Sequence, residues 1–292
     1  TAPVVDSISL NPDPPAATTT SLSCITSTSD ADGDNVTVSY AWLIDGIVQA
    51  ETSSSFSGPF VYGAVLACRA TPDDGQTTGS TAEATTTVDN TAPVVVSVSL
   101  SPSPLYTNDT LTAAASFSDV DSAQSLAATY EWHVVDLNGA DSIVQSGTSN
   151  SLDGAQHFSR DEEVYVIATA NDTVEDSTPL TSNSITVLNT APTAPVISVS
   201  PDPAAVGQDD LTCSVDSTSI DVDGDSVVYT YVWTDDTGTV QQTTSAVTVA
   251  SDTVSASALT TGVWTCQVTP FDGDFPKYFS TTFCIAGILV DP

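Results

Sequence analysis

One pattern is written three times along this chain, and it constrains the fold more than any single motif does. Thr1-Ala2-Pro3-Val4-Val5 returns as Thr91-Ala92-Pro93-Val94-Val95. Asn189-Thr190-Ala191-Pro192, followed by Thr193-Ala194-Pro195-Val196, opens a third copy. Each opening leads into an alternating segment, Ser7–Leu10, Ser97–Leu100 or Ile197–Ser200. A proline-marked turn follows each time: Pro12-Asp13-Pro14, Pro102-Ser103-Pro104 and Pro201-Asp202-Pro203. Leu22-Ser23-Cys24, Leu111-Thr112-Ala113 and Leu211-Thr212-Cys213 then occupy one equivalent position. Tyr40-Ala41-Trp42, Tyr130-Glu131-Trp132 and Tyr231-Val232-Trp233 occupy the next.

The period inside each copy is two. Val38, Tyr40, Trp42 and Ile44 fall on one face and Ser39, Ala41 and Leu43 on the other, which is the pattern of a half-buried strand. Gly, Pro, Asn and Asp punctuate the strands, and no long segment carries helical periodicity. The expectation is an all-β chain of three tandem antiparallel β-sandwiches in an elongated array, spanning residues 1–90, 91–189 and 190–292.

Charge narrows the partners. The chain of 292 residues holds 37 acidic side chains against three basic ones, a net charge of −34. Nucleic-acid binding needs a basic footprint, and docking on an anionic membrane surface needs the same, so both are excluded as partners. The apolar run Phe283–Val290 is too short to span a bilayer, so no membrane insertion is expected in this segment. Six of the acids are Glu and 31 are Asp. Glu supports helices, whereas Asp supports turns and oxygen-rich metal sites. Two readings of the charge stay open: a solvated, self-repelling surface, or a cation-binding role. With no Met at position 1, the chain is expected to be a processed product or a piece of something longer.

The Cys…Trp…Cys order of the first and third copies resembles the immunoglobulin fold, in which a buried Trp packs on a disulfide between two sheets. The resemblance implies that Cys24 pairs with Cys68 and Cys213 with Cys266. The second copy has Ala113 and Val166 at those positions, and the tyrosine corner is replaced by Leu66 and Trp264. The Asp-x-Asp-Gly-Asp run before Tyr-x-Trp also resembles bacterial PKD-type repeats. Those usually carry Trp-Asp-Phe-Gly-Asp-Gly, against Trp42-Leu43-Ile44-Asp45-Gly46 here. Such modules serve as spacers, adhesive domains or surface-layer components. Paired cysteines imply an oxidising compartment, outside the cell or at its surface. Cys284 is left over, either as a buried thiol on the last strand or as an intermolecular link.

The clearest chemical motif is Asp30-Ala31-Asp32-Gly33-Asp34, with its counterpart Asp221-Val222-Asp223-Gly224-Asp225. The second copy keeps Asp119 and Asp121. The spacing resembles the opening of an EF-hand loop, but Asn35 and Ala41, or Ser226 and Val232, stand where an EF-hand needs Gly and a bidentate Glu. A sandwich brings this loop to the same pole as the acidic turn that carries Asp74, Asp172 or Asp272. Asp119, Asp121 and Asp172 are therefore expected beside Asp89-Asn90, and Asp221, Asp223, Asp225 and Asp272 beside Asn189. Calcium at these poles would stiffen the junctions, as in cadherin-like arrays. The alternative is that Asp-Gly runs simply cap exposed turns.

Three sequons, at Asn35, Asn108 and Asn171, are candidate glycan sites on predicted loops; Asn35 and Asn171 are alternatively calcium ligands. Lys277 is the only Lys, so the first two copies cannot hold a Lys–Asn isopeptide bond. His133 follows Trp132 and is expected to face outward. Nothing brings a Ser–His–Asp set together, and no catalytic motif is present, so no enzyme is expected. The sequence thus points to a structural segment of an extracellular filament, stalk or surface array, or alternatively to an adhesin or carbohydrate-binding array of a secreted protein. In a homopolymer the partners would be copies of the chain, joined end to end or by addition of a strand such as Val4–Leu10.

Overall fold

The computed structural model describes residues 1–121, 124–273 and 284–291; the final strand is described by its backbone, with side chains only at Gly287 and Ile288. Three β-sandwiches follow one another along the chain. In the first, Val4–Asn11, Ser21–Ser29 and Ser55–Ser57 form one sheet, and Ile47–Val48, Thr37–Ile44, Val65–Asp73 and Ala82–Thr87 form the other. The second repeats this with Val94–Ser101, Thr110–Ser118 and Ser151–Asp153 facing a sheet centred on Ala127–Val135 and Glu163–Asn171. The third sets Val196–Ser200, Leu211–Ser217 and Ser251–Val254 against a sheet centred on Val228–Thr234 and Gly262–Phe271. Helix among the described residues is limited to the single turns Gly154–His157 and Ala256–Ala258.

The pairing is antiparallel with one exception in each sandwich. After its Pro-x-Pro turn the chain crosses to the opposite sheet and runs parallel to the last strand: Ala16 beside Asp89, Leu105 beside Val187, and Ala204 beside Val290. Proline has no N–H to give to a ladder, so the turn ends pairing with the first sheet and frees the chain to switch.

Three hydrophobic clusters fill the three sandwiches. Trp42, Trp132 and Trp233 are each 0% exposed, and Trp264 is 1% exposed. All four tryptophans are therefore core. Alternation holds along Thr37–Ile44, although Leu43, on the opposite face, is also buried beside its partner Ala67. Cys24–Cys68 and Cys213–Cys266 are disulfides, enclosing 44 and 53 residues of chain. In the second sandwich Ala113 and Val166 sit buried at the matching places. The double substitution Ala113→Cys with Val166→Cys is therefore expected to oxidise to a third bridge. A loop of this length is worth about 4 kcal/mol in the chain-entropy account, read as a higher urea midpoint for the second sandwich only in the oxidised protein. The Cys284 thiol and Lys277 lie outside the described residues.

The segment Val4–Asn11 is already paired along its length with Ser21–Ser29 in its own sandwich. It is an edge of its sheet, so one side of its ladder is used internally.

His133 is covered rather than open to solvent. It lies on the outer face of its sheet, as alternation demands, yet it is only 9% exposed. Its ring stacks on Tyr165 at 4.6 Å, and its Nδ1 meets Asp141 Oδ1 at 3.0 Å. The Tyr165 hydroxyl donates to Asp141 Oδ2 at 2.5 Å. Neighbouring strands supply a lid that one-strand periodicity does not contain. The Tyr165 hydroxyl bond, with His133, holds the Asp141 carboxyl below its usual range, and Tyr165 is pushed up to about 12 by that carboxylate. A lowered carboxyl stabilises the fold above its unfolded value, about 3.9, and that contribution is lost as pH falls through the folded value. Asp141→Asn is expected to flatten the acid limb of the stability profile below about pH 4, measured by urea titration across pH.

Candidate metal sites at the junction poles

The Asp-x-Asp loops are built alike in all three sandwiches. The first carboxylate folds the loop: Asp30 Oδ1 accepts from the Asp32 amide, Asp119 Oδ1 from the Asp121 amide and Asp221 Oδ1 from the Asp223 amide, each at 2.8 Å. Gly33 and Gly224 hold φ values of +81° and +82°, which a Cβ would strain, so glycine follows the second Asp. The second carboxylate receives the incoming chain. Asp121 Oδ2 accepts from the Thr91 amide and Asp223 Oδ2 from the Thr190 amide, both at 2.7 Å. Asp32 takes the Thr1 amino group in the same way. This assigns Thr190, not Thr193, as the counterpart of Thr1 and Thr91.

The acidic turn on the next hairpin completes the pole. Asp172 is fully buried, with Oδ1 accepting from the Val174 and Glu175 amides and Oδ2 from the Asn90 carboxamide at 2.8 Å. Asn189 donates likewise to Asp272 Oδ2 at 2.9 Å. Asp74 accepts from the Gln76 and Thr77 amides, which hold its carboxyl below the usual range. The structure thus brings Asp119, Asp121 and Asp172 together at Asn90. It does the same with Asp223, Asp225 and Asp272 at Asn189, where Asp221 folds the same loop.

The carboxylates divide into two kinds. Those of Asp74, Asp172 and Asp272 are taken up by N–H donors of the turn or linker. Five of those in the Asp-x-Asp loops keep an oxygen that is buried and unpartnered: Asp30 Oδ2, Asp119 Oδ2, Asp121 Oδ1, Asp221 Oδ2 and Asp223 Oδ1. Asp121 is only 5% exposed. A buried carboxylate oxygen without a donor is costly, because desolvation is not repaid. Burial, then repulsion from Asp223 and Asp225, raises the Asp221 carboxyl, so rising pH works against the fold at this group. A hard cation removes that cost. Asp30, Asp32 and Asp34 place one oxygen each within 4.8 Å of one another, a span that calcium bridges with bonds of about 2.4 Å on either side. The donor set, oxygens only and dominated by carboxylates, suits calcium rather than a softer metal.

Other predicted residues stand apart. Asn35 and Asn108 are exposed on loops. Asn171 donates to Asp176 Oδ1 and accepts from the Thr173 amide. Two participants escaped the sequence reading: Gln124, which donates to Asn90 Oδ1 at 2.8 Å, and Arg160, which donates to Asn189 Oδ1 at 2.9 Å and pairs with Asp225. Asn90 and Asn189 were legible as a repeated Asn-Thr-Ala-Pro; Arg160 carries no local signature.

No protein-family model matches the chain, and no curated protein matches it. Among solved structures it is similar to the chicken CNTN1 FN1–FN3 domains, at 12% identity and a TM-score of 0.31 over 98% of both chains. It is similar also to a Ca2+-stabilized adhesin of an ice-binding Antarctic bacterium, at 15% identity and a TM-score of 0.31, over 94% of this chain and 83% of that one. A third is the three N-terminal domains of the outer capsid protein Hoc of bacteriophage RB49, at 12% and 0.28, over 99% of both. The likeness is to tandem immunoglobulin-like and fibronectin type III domains in general and singles out no PKD type. The assignment of tandem immunoglobulin-like sandwiches rests on the sheets, cores and disulfides described above.

Proposed function

We propose that the chain is a non-catalytic structural segment of an extracellular filament, stalk or cell-surface array, and that calcium stiffens its junctions. The three sandwiches, with boundaries at Asn90/Thr91 and Asn189/Thr190, act as spacers in series. The calcium ligands are the Asp-x-Asp loop carboxylates, with Asp74, Asp172 and Asp272 supporting the loops through the turns and the linker. The observation that carries this reading is the set of buried, unpartnered carboxylate oxygens recurring at the places where one sandwich receives the next. Both disulfides fit an oxidising, extracellular setting. End-to-end docking of copies, or strand addition at the edge strand Val4–Asn11, would join copies into a homopolymer with the internal strand pairing intact.

Isothermal titration with calcium, against protein stripped by chelator, tests the metal reading; absence of binding heat at millimolar calcium would sink it. Negative-stain electron microscopy of purified protein tests the assembly. Long regular fibres support the filament, whereas isolated three-bead particles at every calcium concentration exclude a self-assembling protomer and favour a binding array.

A further inference from the structure

The two junctions are not chemically equal. At the second, Arg160 of the middle sandwich extends across to the third. Its Nη1 pairs with Asp225 and donates to Asn189 Oδ1 at 2.9 Å, and its Nε lies 3.5 Å from Asp161. The side chain is 27% exposed and that of Asp225 25%, so solvent screens the pair only in part. The residue at the matching place in the first sandwich follows from the backbone. Gly63 N–H donates to Val88 O and Asp161 N–H to Val187 O, so the residue before each is equivalent: Tyr62 and Arg160. At the first junction an uncharged side chain therefore stands where the second has a guanidinium.

The loops register the difference. The loop at the first junction, Asp119-Val120-Asp121, has no third Asp, whereas Asp221-Val222-Asp223-Gly224-Asp225 at the second ends on one. In the latter, Asp225 is drawn to Arg160. The second junction also gains a bond from Thr190 Oγ1 to the Thr107 carbonyl at 3.4 Å, whereas Thr91 Oγ1 at the first is buried without a partner.

We propose that Arg160 is a resident cation that keeps the second junction ordered when calcium is removed, leaving the first as the junction whose order depends on a divalent ion. The contrast with the first junction rests on the calcium reading above; the lock itself does not. A fixed guanidinium neutralises one carboxylate of the pole, ties the middle sandwich to Asp225 of the third and braces the linker at Asn189. The chain then has one permanently set joint and one that responds to its medium.

The Thr91 and Thr190 amides are matched reporters, each hydrogen-bonded to the second Asp of its loop. Their hydrogen exchange can be followed by NMR on the full chain, in calcium and in chelator, for wild type and Arg160→Gln. In chelator the expected result is at least tenfold faster exchange at Thr91 than in calcium, with Thr190 changed less than twofold. Arg160→Gln in chelator is expected to speed Thr190 at least tenfold while the core amides of Val228–Thr234 keep their protection. The lock is overturned if Arg160→Gln leaves Thr190 within twofold of wild type, or if Thr190 of wild type loses tenfold or more in chelator. Failure of the calcium reading is distinct: Thr91 stays indifferent to chelation, and the Arg160→Gln comparison still decides the lock.

Discussion

Chelation is expected to lower the melting temperature of this protein by about 10 °C or more, and Asp121→Asn to remove the share of that shift belonging to the first junction. The size follows from linkage. A ligand at one hundred times its dissociation constant stabilises the folded state by about 2.7 kcal/mol per site, and a sandwich of this length moves roughly 4–8 °C per kcal/mol. The sign of the substitution should reverse with the medium. In chelator, Asp121 carries a buried oxygen without a donor, so replacing the charged group with Asn relieves a desolvation cost and the variant is at least as stable as wild type. Asn keeps an oxygen that can accept the Thr91 N–H, the bond that Asp121 Oδ2 makes now. In calcium the same variant lacks a ligand and melts lower than wild type. Differential scanning calorimetry of both proteins in both media reads the crossing. Parallel curves, with Asp121→Asn destabilised equally in calcium and in chelator, would show an ordinary structural carboxylate.

Trp132→Ala is expected to unfold the middle sandwich selectively. The indole is 0% exposed, packs among Leu111, Val164, Val166 and their neighbours, and donates from Nε1 to the Ser149 carbonyl at 3.2 Å. Truncating a buried tryptophan costs about 3–5 kcal/mol, against roughly 5–15 kcal/mol for the stability of a whole domain. The first and third sandwiches have a disulfide behind the equivalent Trp42 and Trp233, and a bridge limits the entropy gained on unfolding. The middle one has none. Urea titration monitored by hydrogen exchange should show protection lost across Ala127–Val135 at low denaturant while Thr37–Ile44 and Val228–Thr234 stay protected. A loss smaller than about 1 kcal/mol would contradict the cavity cost expected of a large core side chain.

Both expectations begin from features that local chemistry dictates. Alternation at period two, Pro-x-Pro turns and the Tyr-x-Trp positions report which side of a strand is buried and where pairing stops, because pleating and the missing proline N–H act within a few residues. The strands and turns of each sandwich follow from such rules applied to each copy, and the two disulfides beside the buried tryptophans are what the resemblance to the immunoglobulin fold implies. The meeting of the Asp-x-Asp loop with the acidic turn follows as well, since both loops leave the same end of the sheet.

Three things were decided only in space. His133 is covered although its strand turns it outward, because Tyr165 and Asp141 come from neighbouring strands. The carboxylates of Asp172 and Asp223 look interchangeable in the sequence, yet one is held by turn amides and a carboxamide while the other keeps a bare buried oxygen. Asp34 and Asp225 end identical motifs, but only Asp225 meets a guanidinium, 65 residues away in the chain. Residue order specifies which groups a strand or turn presents. Which charge each carboxylate finally faces depends on contacts between segments far apart in sequence, and on that the electrostatics of the two junctions turn.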